Sequence, residues 1–446
     1  MARANTQDIL SDLLKSAKAA GADAADALFV ENVAASVSYR LGKLEDVERA
    51  ESHDLGLRVF VGQKVAFISS TDLSRDSLAQ LAGRAVTMAK LAPEDKFAGL
   101  APRDRLAKDI PSLDLEDKTE PSAETLVDWA REVEGAAMAV PGVTNSEGGG
   151  ATFGRTAIAL ATSEGFTGGY AGTNCGIGVA VVGGEGTGME RDYDQASARH
   201  ASDLESPAAV GRSAGERTVK RLNPRRVKSQ AVPVIYDPRV SSGIVGHFVG
   251  AISGSSIARG VSFLKDRMEK QVFASAVNIV DDPHRVRGLR SKPFDGEGVA
   301  NKRWALIENG VLKTWLLDTA SARQLGLLTT GHAARGTGGP PSPSSTNLYM
   351  EAGTLSPAAL IKDIKQGLYV TELIGMGVNG VTGDYSRGAA GFWIENGEIA
   401  FPVSEITIAG NLKDMFVNLT AANDLEFKHG TNAPTLRIEG MTVAGA

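Results

Sequence analysis

The sequence contains little of what disulfides, thiolate metal sites and membrane spans require. Its 446 residues include a single cysteine, Cys175. One cysteine excludes an internal disulfide and any metal site built from several thiolates. No apolar run approaches the roughly 20 residues that a membrane-spanning helix needs, and the N-terminus lacks the apolar core of a signal peptide. We therefore expect a cytoplasmic protein that does not contact a membrane.

Histidine is also scarce, and its spacing excludes the usual zinc-peptidase motif. Such a site needs two imidazoles on one face of a helix and a carboxylate that activates the metal-bound water. No two of the six histidines lie within six residues of each other, and none precedes a glutamate. They are His53, His200, His247, His284, His332 and His429. The sequence thus predicts no catalytic residues and no metal ligands in this chain.

Two weaker metal patterns have simpler interpretations. Asp281 and Asp282 lie close to His284 in the sequence, but the intervening proline favours a turn in which an aspartate side chain bonds to the backbone. His247 and His332 would serve only as ligands scattered along the chain. The sequence disfavours both sites.

The charge balance and composition are those of an ordinary soluble protein. A formal net charge of −6 provides no basic surface for nucleic acid. With 42% apolar residues, a chain of this length buries enough surface for two or three domains. The 51 glycines mostly stand singly between alternating apolar residues, which is typical of proteins rich in hairpins and bulges.

The order of predicted elements repeats in the first half of the chain. Periodicity predicts a helix, several strands and a second helix within residues 1–105, and the same order within residues 116–222. A β-rich segment follows over residues 229–445, interrupted by one helix around residues 240–252 and another around residues 357–366. We predict an α+β fold in which two α-β-α layered N-terminal units precede a β-rich C-terminal domain with a central glycine-rich helix.

The glycines of that central helix lie on one side of it. Gly243, Gly246, Gly250 and Gly254 would leave a flat face that another backbone can approach closely. This spacing predicts tight packing of the helix.

Residues 331–347 predict a long irregular loop. The segment is rich in glycine, proline and serine, and loops of this length are usually functional or disordered. Both interpretations stay open.

A second glycine-rich stretch, residues 383–399, predicts a β-hairpin with a polar loop beside it. Asn396 and Gly397 stand between alternating residues, which indicates a tight two-residue turn. Upstream, glycines flank Tyr385, Ser386 and Arg387. We interpret these three residues as a contact loop in which Arg387 donates hydrogen bonds to peptide carbonyl or carboxylate groups.

This stretch resembles the C-terminal region of the PmbA (TldE) branch of the TldD/PmbA family. Residues 246–254 resemble the central helix of that family, residues 433–438 its last strand and residues 56–71 its N-terminal hairpin. The resemblance therefore covers nearly the whole chain. It implies a two-subunit cytoplasmic metallopeptidase, built from a TldD-type and a PmbA-type chain, that trims or degrades small unfolded polypeptides. It also implies that the loop at residues 331–347 lies close to the substrate cavity.

The resemblance also implies that the zinc motif is degenerate here. The central helix of TldD-type subunits carries His-Glu-x-x-x-His, with a Val-Gly pair in the spacer. Matching that pair to Val249 and Gly250 places Gly246 at the first histidine position. His247 then stands at the glutamate position and Ala251 at the second histidine position. The third family ligand is a cysteine near the C-terminus, whereas the one cysteine of this chain lies far upstream.

The leading hypothesis is a PmbA/TldE-type subunit of a heterodimeric zinc metallopeptidase that acts on small unfolded polypeptides. It would bind no cofactor itself, and zinc would belong to the TldD-type partner. The expected partners are that subunit and unfolded peptides, with a homodimer where the subunit is missing, and without nucleic acid. The alternative is a stand-alone, non-enzymatic modulator protein that binds peptides.

Overall fold

The fold is taken from a computed structural model that describes residues 3–445. The first two residues of the predicted N-terminal unit lie outside this range. Within it, no helix combines the length and the apolar character needed to cross a bilayer.

The N-terminal half consists of four helices and six long strands. Short 3-10 helices also occur at Arg103–Arg105, Gly186–Gly188 and Ala201–Asp203. The elements are α1 (Arg3–Ala19), β1 (Ala24–Arg40), β2 (Lys43–Val61), β3 (Lys64–Ser70), α2 (Arg75–Leu91), α3 (Ala123–Met138), β4 (Val143–Thr162), β5 (Thr167–Gly183), β6 (Glu190–Ala198) and α4 (Pro207–Lys220).

The predicted α-β-α order is confirmed twice, but the strands of both units belong to one sheet. Its order is β3-β2-β1-β4-β5-β6. The junction is the antiparallel pair β1–β4, which runs from Asp26 opposite Thr162 to Tyr39 opposite Gly149. Because β1 pairs with β2 on one side and β4 on the other, neither unit presents an edge at the junction. The two units are therefore halves of one layer.

Local sequence signals explain where the helices of the second unit begin. The Ser122 hydroxyl accepts a hydrogen bond from the Thr125 amide at 3.2 Å, and Ser206 caps α4 in the same way ahead of a proline at the first helical position. Such caps satisfy amides that the helix leaves unpaired. Both helices then bury apolar faces on the sheet, with Val133 and Ala214 fully or almost fully buried.

The C-terminal half is rich in strands, as predicted. Its elements are β7 (Gln230–Tyr236), α5 (Pro238–Ala251), α6 (Gly254–Ala258), β8 (Ile279–Asp282), β9 (Trp304–Glu308), β10 (Val311–Leu312), α7 (Thr319–Gln324), β11 (Ala333–Ala334), β12 (Ser342–Pro343), β13 (Asn347–Met350), α8 (Pro357–Ile361), β14 (Gln366–Ile374), β15 (Asp384–Glu395), β16 (Glu398–Asn411), α9 (Leu412–Val417), β17 (Leu419–Ala421), β18 (Thr431–Asn432) and β19 (Leu436–Ala444).

Five of these strands close on themselves. They follow one another in the order β16-β15-β14-β7-β19, and β19 pairs again with β16 through Thr407 opposite Ala444. Closure removes most of the free strand edges of this sheet. Its apolar residues join the buried face of α5 in the largest hydrophobic core of the described residues, which includes Ile244, Val245 and Phe248.

The turn interpretation is confirmed for Asp282 and His284, whereas Asp281 lies in β8 and is buried. The Asp282 carboxylate accepts a hydrogen bond from the His284 amide at 3.0 Å. The His284 ring lies 2.8 Å from the Asn301 side-chain oxygen. This imidazole is therefore held in a turn.

A buried ion cluster joins the N-terminal sheet to the C-terminal half. Asp26 and Arg58, on β1 and β2, are bonded to each other within the core. Arg58 also lies 3.5 Å from a Glu297 oxygen, and Arg335 donates to Asp26 at 2.6 Å. All four side chains are at most 6% exposed. The loop at residues 331–347, which carries Arg335, is thus anchored at this end, although it holds only the two-residue strands β11 and β12.

Candidate functional site

The glycine-rich helix α5 positions the first part of the site. The Asp237 carboxylate accepts a hydrogen bond from the Arg239 amide at 3.0 Å, and Pro238 occupies the first helical position. Both are strong helix-start signals. The Phe248 side chain anchors the buried face of the helix edge-to-face against Phe273, with ring centroids 5.2 Å apart.

The opposite side of α5 is not packed against the rest of the chain. A β-carbon built at Gly243, Gly246 or Gly250 would meet no atom within 4 Å, and the last two glycines are exposed. The prediction of tight packing is wrong for these three positions. It holds for Gly254, which begins α6 and where an added carbon would lie 2.8 Å from the Leu316 carbonyl oxygen. Glycine spacing alone does not distinguish a packed face from an open one.

The three degenerate motif positions lie on different sides of α5. Gly246 is exposed, His247 is half-buried and Ala251 is buried. Only His247 carries a side chain of metal-ligand type. Within residues 3–445, no group of three or more histidine, cysteine, aspartate or glutamate side chains is arranged to hold a metal ion. The residues present at these positions do not fit a zinc site.

The predicted contact loop is a strand. Tyr385, Ser386 and Arg387 lie near the start of β15 and pair with Gly410, Ala409 and Ile408 of β16. The prediction of a loop at this point is wrong because the chain turns earlier, at Gly383, whose φ is +87°. The hairpin turn itself lies where it was predicted, since Glu395 pairs with Glu398 around Asn396 and Gly397, which have φ values of 51° and 84°.

The three residues differ in exposure. Alternation along the strand places Ser386 on the face opposite to that of Tyr385 and Arg387. Tyr385 is 2% exposed, whereas Ser386 is exposed and Arg387 is half-buried. Only the last two are therefore accessible to a peptide.

The fold brings the degenerate motif and the predicted contact residues together. The rings of His247 and Tyr385 pack edge-to-face, with centroids 5.8 Å apart. The Tyr236 hydroxyl donates a long hydrogen bond of 3.5 Å to the Tyr385 hydroxyl from within the core. We call His247, Tyr385 and Arg387 the helix–strand cluster.

Burial keeps the aromatic groups of this cluster uncharged. It raises the pKa of Tyr385, and it raises that of Tyr236 well above the ordinary value. Burial also lowers the pKa of His247, and the positive charge of Arg387 lowers it further. His247 is therefore a neutral imidazole at physiological pH.

Arg387 carries the uncompensated charge of the cluster. Its Nε donates a hydrogen bond to the Ile374 carbonyl at 3.3 Å. Among the described residues, no carboxylate lies within 4.0 Å of its guanidinium group. The two terminal nitrogens are thus available to an incoming carbonyl or carboxylate oxygen.

The segment between β14 and β15 borders the cluster and was missed by the sequence analysis. Its Gly377 carbonyl accepts a hydrogen bond from the Ser386 amide at 2.7 Å, which occupies this edge of β15. Apolar side chains are exposed here: Ile374, the last residue of β14, is 59% exposed, and Met376 and Val381 within the segment are 89% and 56% exposed. The sequence feature that could have indicated this segment is a set of apolar residues between closely spaced glycines at residues 374–383.

Comparison with known proteins shows the class to which this architecture belongs. Three family models match successive parts of the chain: PmbA/TldA metallopeptidase domain 1 over residues 25–89, the central domain over residues 111–222 and the C-terminal domain over residues 229–445. Together they match well over half of the sequence.

Individual relatives narrow the assignment. Metalloprotease PmbA of Escherichia coli O157:H7 is 41% identical over 95% of this chain and 92% of its own length. The Metalloprotease PmbA homolog of Haemophilus influenzae is 37% identical over 92% of this chain and 90% of its own. TldE from Thermococcus kodakarensis has the same fold, with a TM-score of 0.86, 20% identity and coverage of 98% and 100% of the two chains. The chain therefore belongs to the TldD/PmbA family and is of the PmbA (TldE) type.

Proposed function

We propose that this chain is the metal-free subunit of a heterodimeric zinc metallopeptidase that acts on small unfolded polypeptides. A TldD-type partner would carry the zinc and the catalytic residues in the cytoplasm. This chain would supply part of the wall of the substrate cavity and part of the assembly interface.

The observation that carries the proposal is the state of helix α5. At the motif positions it has one imidazole, and the positive Arg387 beside that imidazole disfavours a second cation. The same helix has an open glycine face. A helix without the ligand set, but with a face accessible to another backbone, suits a wall rather than a catalytic centre.

The helix–strand cluster supplies the groups for peptide contact. Arg387 offers unpaired guanidinium nitrogens, and the exposed Met376 and Ile374 offer apolar surface beside it. Main-chain pairing at Ser386 would require displacement of Gly377, whose carbonyl already accepts from the Ser386 amide. We therefore expect side chains, rather than a free edge of β15, to hold the peptide here.

The test is peptide cleavage by the chain reconstituted with a TldD-type partner. Arg387→Ala removes a charged hydrogen-bond donor, so we expect the rate of cleavage of an unfolded peptide to fall about tenfold. The zinc content of the complex, measured by mass spectrometry, should stay unchanged. The matched control is Arg259→Ala, which removes an exposed arginine whose side chain, among residues 3–445, bonds only to the Ser255 carbonyl.

The outcomes separate the competing functions. Equal activity of the Arg387→Ala and Arg259→Ala complexes would reject the contact role of Arg387. Stoichiometric zinc and cleavage by this chain alone would reject the accessory-subunit proposal. Peptide binding by the isolated chain, together with failure to associate with the partner, would favour a stand-alone modulator.

A further inference from the structure

A depression lies where the middle of the N-terminal sheet meets the C-terminal half. Its volume is about 340 Å³. Strands β4 and β5 form one wall through Ile158 and Tyr170, and the segments around residues 290–292 and 344–345 form the other. It shares no residue with the helix–strand cluster.

Three cations and no carboxylate line this depression. The cations are Arg199, Arg290 and Lys292. Within the described part of the chain, none of them has a carboxylate oxygen within 4.0 Å, whereas Arg58, Arg221, Arg239 and Arg335 all do. The positive charge here is therefore left without the direct ion pairs that neutralise the buried arginines elsewhere.

Neutral acceptors hold two of the cations in place. Arg199 donates to the backbone carbonyls of Gly288, Thr173 and Leu289 at 3.2, 3.1 and 2.5 Å. Lys292 donates to the Ala333 carbonyl at 3.3 Å. An ammonium group has three donors, so two of them stay available. Burial lowers the pKa of Arg199 and of Lys292, because a positive charge is less stable away from water.

The carboxylates that act on Lys292, Asp281 and Asp295, are hydrogen-bonded to other groups. Asp281 accepts from the amide and the hydroxyl of Thr346, both at 2.6 Å. Asp295 accepts from the Glu297, Val299 and Ala333 amides, and burial raises its pKa to about 7. Neither residue lines the depression.

Hydroxyl donors complete the lining. Within residues 3–445, no hydrogen bond is found for the Tyr170 or the Ser345 hydroxyl group, and both residues line the depression. The Tyr170 ring is fixed edge-to-face on Phe294, with centroids 5.5 Å apart. Burial raises the pKa of Tyr170 to about 12, so its hydroxyl stays protonated and can donate.

We propose that this depression binds a small molecule through a phosphoryl group. Arg290, Lys292 and the Tyr170 hydroxyl would contact the oxygens, while the backbone-anchored Arg199 supplies a fixed charge at the wall. The guanidinium fork of Arg290, the ammonium group and the hydroxyl provide convergent donors of the kind that a tetrahedral dianion accepts, beside the fixed charge of Arg199. The volume admits the phosphoryl group and a short organic portion, with Leu115 and Ile158 as apolar walls.

The probe for this site is inorganic phosphate, titrated into the full chain by calorimetry at constant ionic strength. We expect saturable binding by the unmodified protein. Arg290→Gln should weaken it by about tenfold or more, because it removes a charged donor. Tyr170→Phe should weaken it several-fold. Arg290 is exposed, so its replacement leaves the core intact.

Two controls make the result decisive. Arg259→Gln removes an equivalent exposed charge elsewhere and should leave phosphate affinity unchanged. Malonate tests whether a dicarboxylate is preferred. Absence of saturable phosphate binding, equal affinity of the Arg290→Gln and Arg259→Gln proteins, or tighter binding of malonate than of phosphate would each overturn the proposal.

Discussion

The buried ion cluster and the helix–strand cluster each contain arginine among side chains that are far apart in the sequence. The arginine charge is paired with carboxylates in the first cluster and unpaired in the second. In the ion cluster, Arg58 and Arg335 face Asp26 and Glu297, so two positive charges meet two carboxylates. In the helix–strand cluster, Arg387 faces a neutral imidazole and a protonated phenol. The first arrangement holds two parts of the molecule together, and the second leaves binding capacity for another molecule.

The two clusters also differ in how far solvent reaches their arginine side chains. The ion cluster is sealed from solvent, where an unpaired charge would be costly. Arg387 is half-buried, so water or a ligand can contact its guanidinium group. An arginine without a carboxylate partner is therefore informative when it stands at a surface that the rest of the chain leaves open.

The largest expected effect comes from breaking the ion cluster. Asp26→Asn keeps the shape of the side chain but leaves Arg58 and Arg335 without their shared carboxylate. Removal of one partner of a buried ion pair costs about 3–5 kcal/mol. Urea unfolding of the two proteins at neutral pH measures this loss.

The control for that substitution is an exposed ion pair on the same sheet. Arg49 lies 2.8 Å from Glu51 and 2.5 Å from Glu120, with about half of its side chain exposed. Arg49→Gln should cost less than about 1 kcal/mol. A similar small loss for Asp26→Asn would show that the buried cluster contributes little to stability.

A smaller effect is expected from acid down to pH 3, because the lowered pKa of Asp26 leaves part of its charge in place at that pH. Burial raises the pKa of Asp26, but Arg58 and Arg335 outweigh burial and hold it below the ordinary value of 3.8. The native state then binds fewer protons than the unfolded state, so the stabilisation is present above pH 3.8 and is lost as the pH falls below it.

Unfolding midpoints at several pH values between 7 and 3 check this prediction. The difference between the unmodified protein and Asp26→Asn should be constant from pH 7 to about 5 and should narrow below pH 4. A difference that stays constant down to pH 3 would contradict a lowered pKa for Asp26.

The smallest effect tests the open face of α5. Gly246 lies in the helix interior with space around it, so Gly246→Ala should stabilise the isolated chain by about 0.5–1 kcal/mol, since alanine restricts the unfolded chain. Gly254→Ala is the contrasting variant. Its new carbon would lie 2.7 Å from the Leu317 side chain, and it should destabilise. If the two substitutions lowered the free energy of unfolding equally, the face of α5 at Gly246 would be packed. Chemical unfolding of the isolated variants measures this difference.

Much of the fold could be predicted from the sequence because its signals are local. Serine caps, strand alternation and the Asn396-Gly397 turn depend on residues within a few positions of each other. Their elements lie within a few residues of the predicted positions. The prediction of a loop at Tyr385 failed because the partners of that segment, Gly410 and Gly377, are set by pairing across the sheet.

The sequence by itself determined that the chain lacks a zinc-peptidase motif and where its turns and helix starts lie, because residue identity and short spacing decide these features. Only the tertiary structure decided that His247 meets Tyr385 across more than a hundred residues, that Arg335 reaches Asp26, and that three cations share one depression. Such side-chain contacts depend on strand pairing between segments that are distant in the sequence. In a closed sheet, register and closure, rather than local preference, fix which side chains become neighbours.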